Sequence, residues 1–307
     1  MSETRTIPSF SSAFVTGATG FLGGHLCQRL VSCGIRTSAL VRPTSSEETV
    51  AKLKRNATVI STDGSTQGLN EALTHAEPDI VFHLAAKYIA QHCPDDITTL
   101  ISDNVEMTAK LCEAMTTSSC RSIVYAGTAG QHADSPSGEI TSSPNTFYAA
   151  TKQAADEMID YYARKTGLNA ITLKIYDSYG PCDTRRNFLS VLANAAQQDK
   201  ALHASPGEQK LHIVHVDDII EGFIHAGNLL TSGELPGRNS FSLPSPDAVT
   251  LRELSRRWMS ATGIDVNIKW GAISYRPGDV INPWVGQSLP GWSPRIALED
   301  GLRTLLP

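Results

Sequence analysis

Tyr148 and Lys152 stand four residues apart in the run Tyr148-Ala149-Ala150-Thr151-Lys152. On a helix that spacing puts a phenol and an ammonium on one face. A cation beside a phenol stabilises the phenolate and lowers its pKa towards the working pH. A tyrosine so placed can pass a proton to a carbonyl oxygen as hydride reaches the carbon, or remove one in the reverse direction. Alone, the pair is a common coincidence of a surface tyrosine near a lysine, so its weight comes from what accompanies it. Residues 14–26 supply the company: Gly17, Gly20 and Gly23, spaced GxxGxxG, lie between an apolar run and a helix-like one. The first glycine permits a tight turn, the second lets a pyrophosphate approach the backbone, and the third lets the helix pack on the strand. The helix N-terminus then aims N–H groups and its positive dipole end at the phosphates. Thr19, Phe21 and Leu22 complete this dinucleotide-binding turn.

The elements that must position these groups follow from periodicity. Strand-like and helix-like runs alternate from residue 13 to residue 175, which predicts an α/β Rossmann fold with a doubly wound parallel sheet. The second strand ends in Arg42-Pro43 where a carboxylate would bind the ribose of NAD. An arginine there accommodates the 2′-phosphate of NADP, and Arg42 is read as its selector in preference to an ordinary surface arginine. Asp63, after the third strand, is within reach of the adenine amino group. The fourth strand runs into Leu84, Ala85 and Ala86, small enough for backbone to pass near the nicotinamide-side phosphates and ribose. His83 in that apolar run reads as a satisfied buried histidine. A helix over 101–116 carries Asn104 near its start, suited to organising water or backbone. Thr128 closes the fifth strand at its carboxyl end, where open α/β sheets hold ligands. A polar loop over 131–145 leads to the helix of Tyr148 and Lys152, beginning near Phe147.

Beyond Pro181 the rhythm breaks into Pro/Gly-rich loops, predicting a smaller α/β C-terminal substrate lobe. The expected division is a Rossmann domain of 1–178 plus 211–233 and a lobe of 179–210 plus 234–307. Asp217 is expected to cap the helix that follows His215. His212 and His215 alternate with apolar residues but have no third ligand at useful spacing, so no metal is expected.

Composition sets outer bounds. The 307 residues are 41% apolar and carry a net charge of −5, with scattered basic residues and no footprint for nucleic acid. No window approaches the roughly 18 consecutive apolar residues of a spanning helix, and no long apolar leader stands near the N-terminus. Six cysteines without CxxC spacing suit a reducing compartment. The expectation is a cytoplasmic protein that leaves the membrane alone.

Together, the GxxGxxG turn, Asn104, Thr128 and Tyr148-xxx-Lys152 resemble the extended short-chain dehydrogenase/reductase superfamily, its NAD(P)-dependent sugar epimerase/dehydratase group. His83-Leu84-Ala85-Ala86, Tyr179-Gly180-Pro181, His215-Val216-Asp217-Asp218, Arg276-Pro277-Gly278-Asp279 and Gly291-Trp292-Ser293-Pro294 extend the resemblance over nearly the whole chain. It implies that Tyr148 is the general acid/base and that Lys152 bonds the nicotinamide ribose while depressing the tyrosine. Thr128 would bond the reacting oxygen and Asn104 would support it. The sugar nucleotide would meet Lys87, Tyr88, Thr128, Tyr148, Asp177, Arg185, Asn187, Lys210 and Arg276. Residues 174–185, 207–209 and 270–273 are most similar to 4-ketoreductases of the CDP-abequose synthase type.

Two departures narrow the reaction. Sugar 4,6-dehydratases follow the catalytic Thr with an acidic pair, whereas this chain has Ala129-Gly130, which disfavours dehydration. Many members carry Arg-Asp-Phe before the return strand, whereas this chain has Leu211-His212-Ile213, and Lys210, Arg185 and Arg276 can supply the diphosphate charge in its place. The expected activity is NADPH-dependent reduction of the 4-keto group of a CDP- or dTDP-linked deoxyhexose. The alternatives are an NAD-dependent nucleotide-sugar epimerase and a non-catalytic NADP-binding regulator. The superfamily also implies a homodimer formed through the helices at 104–116 and 148–166.

Overall fold

Strands buried on both faces need helices on both, and the apolar runs of this chain impose that arrangement. All five residues of Ser12–Thr16 and all four of Ile80–His83 are buried. The computed structural model describes residues 6–55, 57–139 and 141–305. The first half runs β1 (Ser12–Thr16), α1 (Phe21–Ser32), β2 (Arg36–Val41), α2 (Glu47–Lys54), β3 (Thr58–Ser61), α3 (Thr66–Ala76) and β4 (Ile80–His83). There follow α4 (Asp96–Ile101), a π-helical turn (Ser102–Glu106), α5 (Met107–Thr117), β5 (Ser122–Thr128), α6 (Phe147–Thr166) and β6 (Asn169–Ile175). The second half contributes β7 (Asp177–Tyr179), α7 (Phe188–Gln197), β8 (Leu202–Ala204), β9 (Lys210–Leu211), β10 (Ile213–His215) and α8 (Val216–Thr231). It ends with β11 (Arg238–Leu243), β12 (Val249–Thr250), α9 (Leu251–Thr262), β13 (Ile268–Trp270) and α10 (Leu298–Arg303).

The main sheet has seven strands in the order β11-β6-β5-β4-β1-β2-β3, every neighbouring pair parallel. The chain moves outward from β1 to β3 and then crosses back to β4, so the crevice at the carboxyl ends of β1 and β4 is the switch point where such sheets bind ligands. One face is sealed by Leu26, Leu30, Phe82, Phe223 and Ile224 beneath α1 and α8. The other is sealed by Leu69, Leu73, Leu111, Met115 and Ile159 beneath α3, α5 and α6. A third cluster, with Leu192, Leu254, Trp258 and Leu302, forms the core of the lobe.

Three features differ from the sequence reading. Residues 238–243, expected in the lobe, form the edge strand β11 against β6, and Ser242 pairs in turn with Ser288 of the C-terminal segment. The 101–116 helix is interrupted by the π turn that carries Asn104. Asp217 lies in the first turn of α8, and the cap is His215, whose Nδ1 accepts the Asp217 N–H at 3.2 Å.

Candidate active site

The glycine turn is shaped by what it must touch. Gly17 has φ +70°, and a Cβ there would fall 2.6 Å from Ala85 N and from Leu84 C, so the turn lies directly on the backbone that leaves β4. At Gly23 a Cβ would stand 2.1 Å from the Gly17 carbonyl oxygen, which sets how closely α1 approaches the turn. Gly20 is the extended N-cap of α1, and no side chain caps that helix. Its first-turn N–H groups, at Phe21, Leu22 and Gly23, are therefore available to an anion beside the exposed Thr19. Beneath them His83 is fully buried, with Nδ1 2.7 Å from Thr16 Oγ1 and Nε2 2.9 Å from Thr108 Oγ1. Burial, helped by the Lys152 charge, lowers this imidazole to about 3, so it is neutral and ties β1, β4 and α5 together. Thr16 Oγ1 also accepts the Ala85 N–H at 3.1 Å.

Arg42 emerges at the end of β2, its side chain 75% exposed and 3.4 Å from Asp103. Asp63 lies at the exposed end of β3, its carboxylate accepting the Ser65 N–H at 2.9 Å, the bond that lowers its pKa. A glycine turn over an uncapped helix fits the phosphates of a nicotinamide dinucleotide.

Asn104 is 1% exposed and fully engaged. It accepts the Lys87 N–H at 2.7 Å and donates to Lys87 O at 3.0 Å and Thr151 Oγ1 at 2.8 Å. These bonds fasten the exposed Ala86-Lys87-Tyr88 segment to α6 one residue before Lys152. Thr128 Oγ1 accepts the Gly130 N–H at 3.2 Å, which leaves its hydroxyl proton to donate elsewhere. The Thr128 N–H is held by Gln131 Oε1 at 2.9 Å in a reciprocal capping box.

Tyr148 lies at the start of α6, edge-on to Tyr88 with ring centroids 4.9 Å apart. Lys152 shares its helix face but is 1% exposed, with Nζ 4.1 Å above the Tyr125 ring. Burial brings this lysine down to about 7, against the pull of Asp156 and with the help of Lys174. The expected depression of Tyr148 by Lys152 is absent from the protein alone. Burial first, then Tyr88, pushes the phenol well above its ordinary value, and Arg185 opposes them.

Arg185 brings the lobe over the site. Its guanidinium sits 4.2 Å from the centre of the Phe21 ring, at the glycine turn. It binds Asp183 through Nε at 2.8 Å and Nη2 at 2.7 Å, and Nη2 also donates to Ser178 O. Desolvation raises the Asp177 carboxyl to about 6, with Arg185 drawing it back. Arg276 is near enough to Tyr88 for its charge to oppose the rise of that phenol, and it pairs with Asp279 at 3.4 Å. Asn187 Oδ1 accepts the Ser190 N–H to cap α7 and Nδ2 donates to Asp183. Lys210 is exposed on β9, and among the described residues no hydrogen bond or ion pair joins its side chain to this cluster. His212 bonds Ser245 and His215 caps α8, so the two rings are already engaged.

Sequence reasoning overlooked Gln131, which fixes the Thr128 turn, and Asp156, which accepts from Gln131 Nε2 at 3.4 Å and lies behind Lys152. The signal available for Asp156 was its place one helical turn after Lys152.

Among known proteins, the chain is 25% identical over 269 residues to CDP-abequose synthase of Yersinia pseudotuberculosis, covering 88% of this chain and 90% of that protein. It is also 25% identical over 304 residues to UDP-glucose 4-epimerase of Mycolicibacterium smegmatis, covering 94% and 95%. Its fold matches the crystal structure of UDP-glucuronic acid 4-epimerase from Bacillus cereus in complex with UDP-glucuronic acid and NAD, with a TM-score of 0.84, 21% identity and coverage of 95% and 97%. The model of the NAD dependent epimerase/dehydratase family matches residues 13–238, nearly three-quarters of the chain, and spans both the glycine turn and the Tyr148/Lys152 helix, so the chain belongs to that family, within the extended short-chain dehydrogenases/reductases.

Proposed function

We propose that this chain is an NADPH-dependent reductase of the 4-keto group of a CDP- or dTDP-linked 6-deoxy or 3,6-dideoxy hexose, acting in deoxysugar biosynthesis. The observation that carries the reading is Arg42, exposed at the end of β2 where the strand itself ends in no carboxylate for a ribose 2′-hydroxyl, and paired at 3.4 Å with Asp103 of the π turn. A dinucleotide chosen for its 2′-phosphate suits an enzyme that spends reducing equivalents and exchanges its cofactor at each turnover. The similarity to CDP-abequose synthase points the same way.

The cofactor, when bound, supplies hydride. Gly17, Thr19, Gly20, Phe21, Leu22 and Gly23 would cradle its phosphates, Arg42 the 2′-phosphate, Asp63 the adenine, and Leu84, Ala85, Ala86 and Lys152 the nicotinamide half. Tyr148, kept protonated by its burial, donates its hydroxyl proton to the sugar oxygen as that oxygen gains charge. Thr128, its oxygen already engaged by Gly130, donates to the same oxygen. Asn104 holds the Lys87–Tyr88 wall and α6 in register. Arg185 and Arg276 would take the diphosphate, with Lys87, Tyr88 and Asp177 bordering the sugar.

A second reading, an epimerase working on resident NAD, is favoured by the match to the Mycolicibacterium smegmatis enzyme over more of the chain. Ala129-Gly130 after Thr128 argues against dehydration in either case. The test offers CDP- and dTDP-4-keto-deoxyhexoses with NADPH or NADH and follows absorbance at the nicotinamide band. The reductase reading expects NADPH consumed mole for mole with one of the sugars. An isomerised sugar with no net cofactor change, and NAD released on denaturing the purified protein, would establish the epimerase instead.

A further inference from the structure

Among the described residues no hydrogen bond or ion pair reaches Lys152 Nζ, which stands instead 4.1 Å from the centre of the Tyr125 ring. Tyr125 is wholly buried on β5 and belongs to a row that crosses four strands. Thr16 of β1 pairs with His83 of β4, His83 with Tyr125, and Tyr125 with Thr172 of β6. Side chains at such paired positions share one face of the sheet, here the face that α6 covers. The neighbours of the ring are locked. His83 lies 2.7 Å from Thr16 Oγ1 and 2.9 Å from Thr108 Oγ1, and Thr172 donates to Asp156 at 2.6 Å. The rings of His83 and Tyr125 stack, with centroids 5.4 Å and planes 29° apart. Tyr125 alone of these four makes no side-chain hydrogen bond: its hydroxyl is buried without a partner. Thr108, close enough to influence it, already donates to Asn104 O at 2.6 Å. A buried tyrosine ordinarily finds a partner for its hydroxyl, so what this position uses is the ring.

We propose that Tyr125 is a positioning residue whose ring face, held still by His83 and Thr172, seats the Lys152 ammonium so that its N–H groups remain free for the ribose of the dinucleotide. A ring face attracts a cation through its quadrupole and occupies none of the three donors in a directed bond. His83, neutral at working pH, sets no competing cation against the ring. A lysine seated in advance has less side-chain freedom to lose when the dinucleotide arrives.

The inference rests on Lys152 holding the dinucleotide ribose, which the reductase and epimerase readings share. Position 125 is filled with Phe, and with Phe carrying one, two and three fluorines, which keep the ring while draining charge from its face. Dinucleotide affinity is measured without sugar by nicotinamide fluorescence, using whichever of NADPH and NADH the wild-type protein binds more tightly. Tyr125→Phe is expected to bind as the wild type does and to be at least as stable to heat, since it removes an unpaired hydroxyl. Each added fluorine should weaken binding in turn, by about tenfold over the series, with an unchanged circular dichroism spectrum. A second readout needs no dinucleotide. In protein labelled with 13C-lysine, the Lys152 Hε signals, identified by their loss in Lys152→Met, should lie upfield through the ring current. They should stay there in Tyr125→Phe and move to the ordinary lysine position in Tyr125→Leu. A merely structural role for Tyr125 would cost Tyr125→Leu thermal stability and leave affinity level along the fluorinated series. That level series, or ordinary Lys152 Hε shifts in the wild type, overturns the proposal while weak binding by Lys152→Met upholds the ribose-holding lysine. Wild-type affinity in Lys152→Met overturns both together.

Discussion

A group that gives up a proton during a reaction must hold it until the substrate arrives, and burial confers that property on Tyr148. The phenol is protonated across the neutral range, which suits reduction of a ketone better than abstraction from an alcohol. Tyr148→Phe is expected to lower kcat by about a hundred- to ten-thousand-fold, the usual worth of a positioned general acid, with KM for the sugar little changed. Unchanged kcat in that variant would remove Tyr148 from the chemistry. His83 has a structural counterpart to this argument. Its folded pKa, about 3, lies below its ordinary value of 6.5, so it contributes stability that is complete above pH 6.5 and is lost as the pH falls towards 3. Wild-type stability should therefore fall more steeply with acid than that of His83→Asn, by up to about 1.4 kcal/mol per pH unit for the one proton involved. Parallel denaturation midpoints for the two proteins across that range would contradict it.

At the scale of elements, the glycine turn has no spare volume. Gly23→Ala would place a methyl 2.1 Å from the Gly17 carbonyl, a backbone atom that cannot swing aside. The expected result is at least about tenfold weaker NADPH binding by titration calorimetry, from displacement of the α1 N-terminus, with circular dichroism showing the sheet intact. Binding at wild-type strength would mean that the turn does not carry the phosphates. This turn, the six-strand alternation up to β6 and the Tyr148/Lys152 face were legible because each is written locally, in spacing and in apolar runs. What was not legible is long-range or local in a subtler way. β11 joins the sheet after an excursion of more than sixty residues beyond β6, and nothing in Arg238–Leu243 itself names β6 as its partner. The π turn at Asn104 keeps the helical pattern of polar and apolar residues while adding a residue to the turn. Asn187, which the resemblance implies at the substrate, and His215, where Asp217 was the expected cap, each cap a helix that begins at the next residue. The spacing of Tyr148 and Lys152 promised a lowered phenol, but spacing says nothing about burial, which here raises it.

On the scale of the whole molecule, α4 to α6 present apolar side chains outward, with Ile97, Ile101 and Tyr161 at 39%, 44% and 50% exposure. A second copy pairing through α5 and α6 would cover that face, and sedimentation at micromolar concentration is expected to give twice the chain mass, reduced to one chain by Tyr161→Glu. A monomeric wild-type protein would remove the proposal. Arg185 overlies Phe21 at the glycine turn, so in the proposed reaction one guanidinium stands between the substrate's diphosphate and the cofactor. The proposed selector of the cofactor is Arg42, at the end of β2. Arg42→Asp is expected to lower kcat/KM for NADPH by about ten- to a hundredfold, the value of a charged hydrogen bond, while NADH is spared. In the proposed reaction hydride leaves the dinucleotide for good and ends on the sugar. It is tested most directly by supplying NADPH deuterated at C4, in each stereochemical form, together with the nucleoside-diphosphate 4-keto-deoxyhexose, and isolating the product. One deuterium at the former keto carbon, from one of the two forms, is the expected result. A product without deuterium, formed while the labelled NADPH remains unspent, would contradict the account.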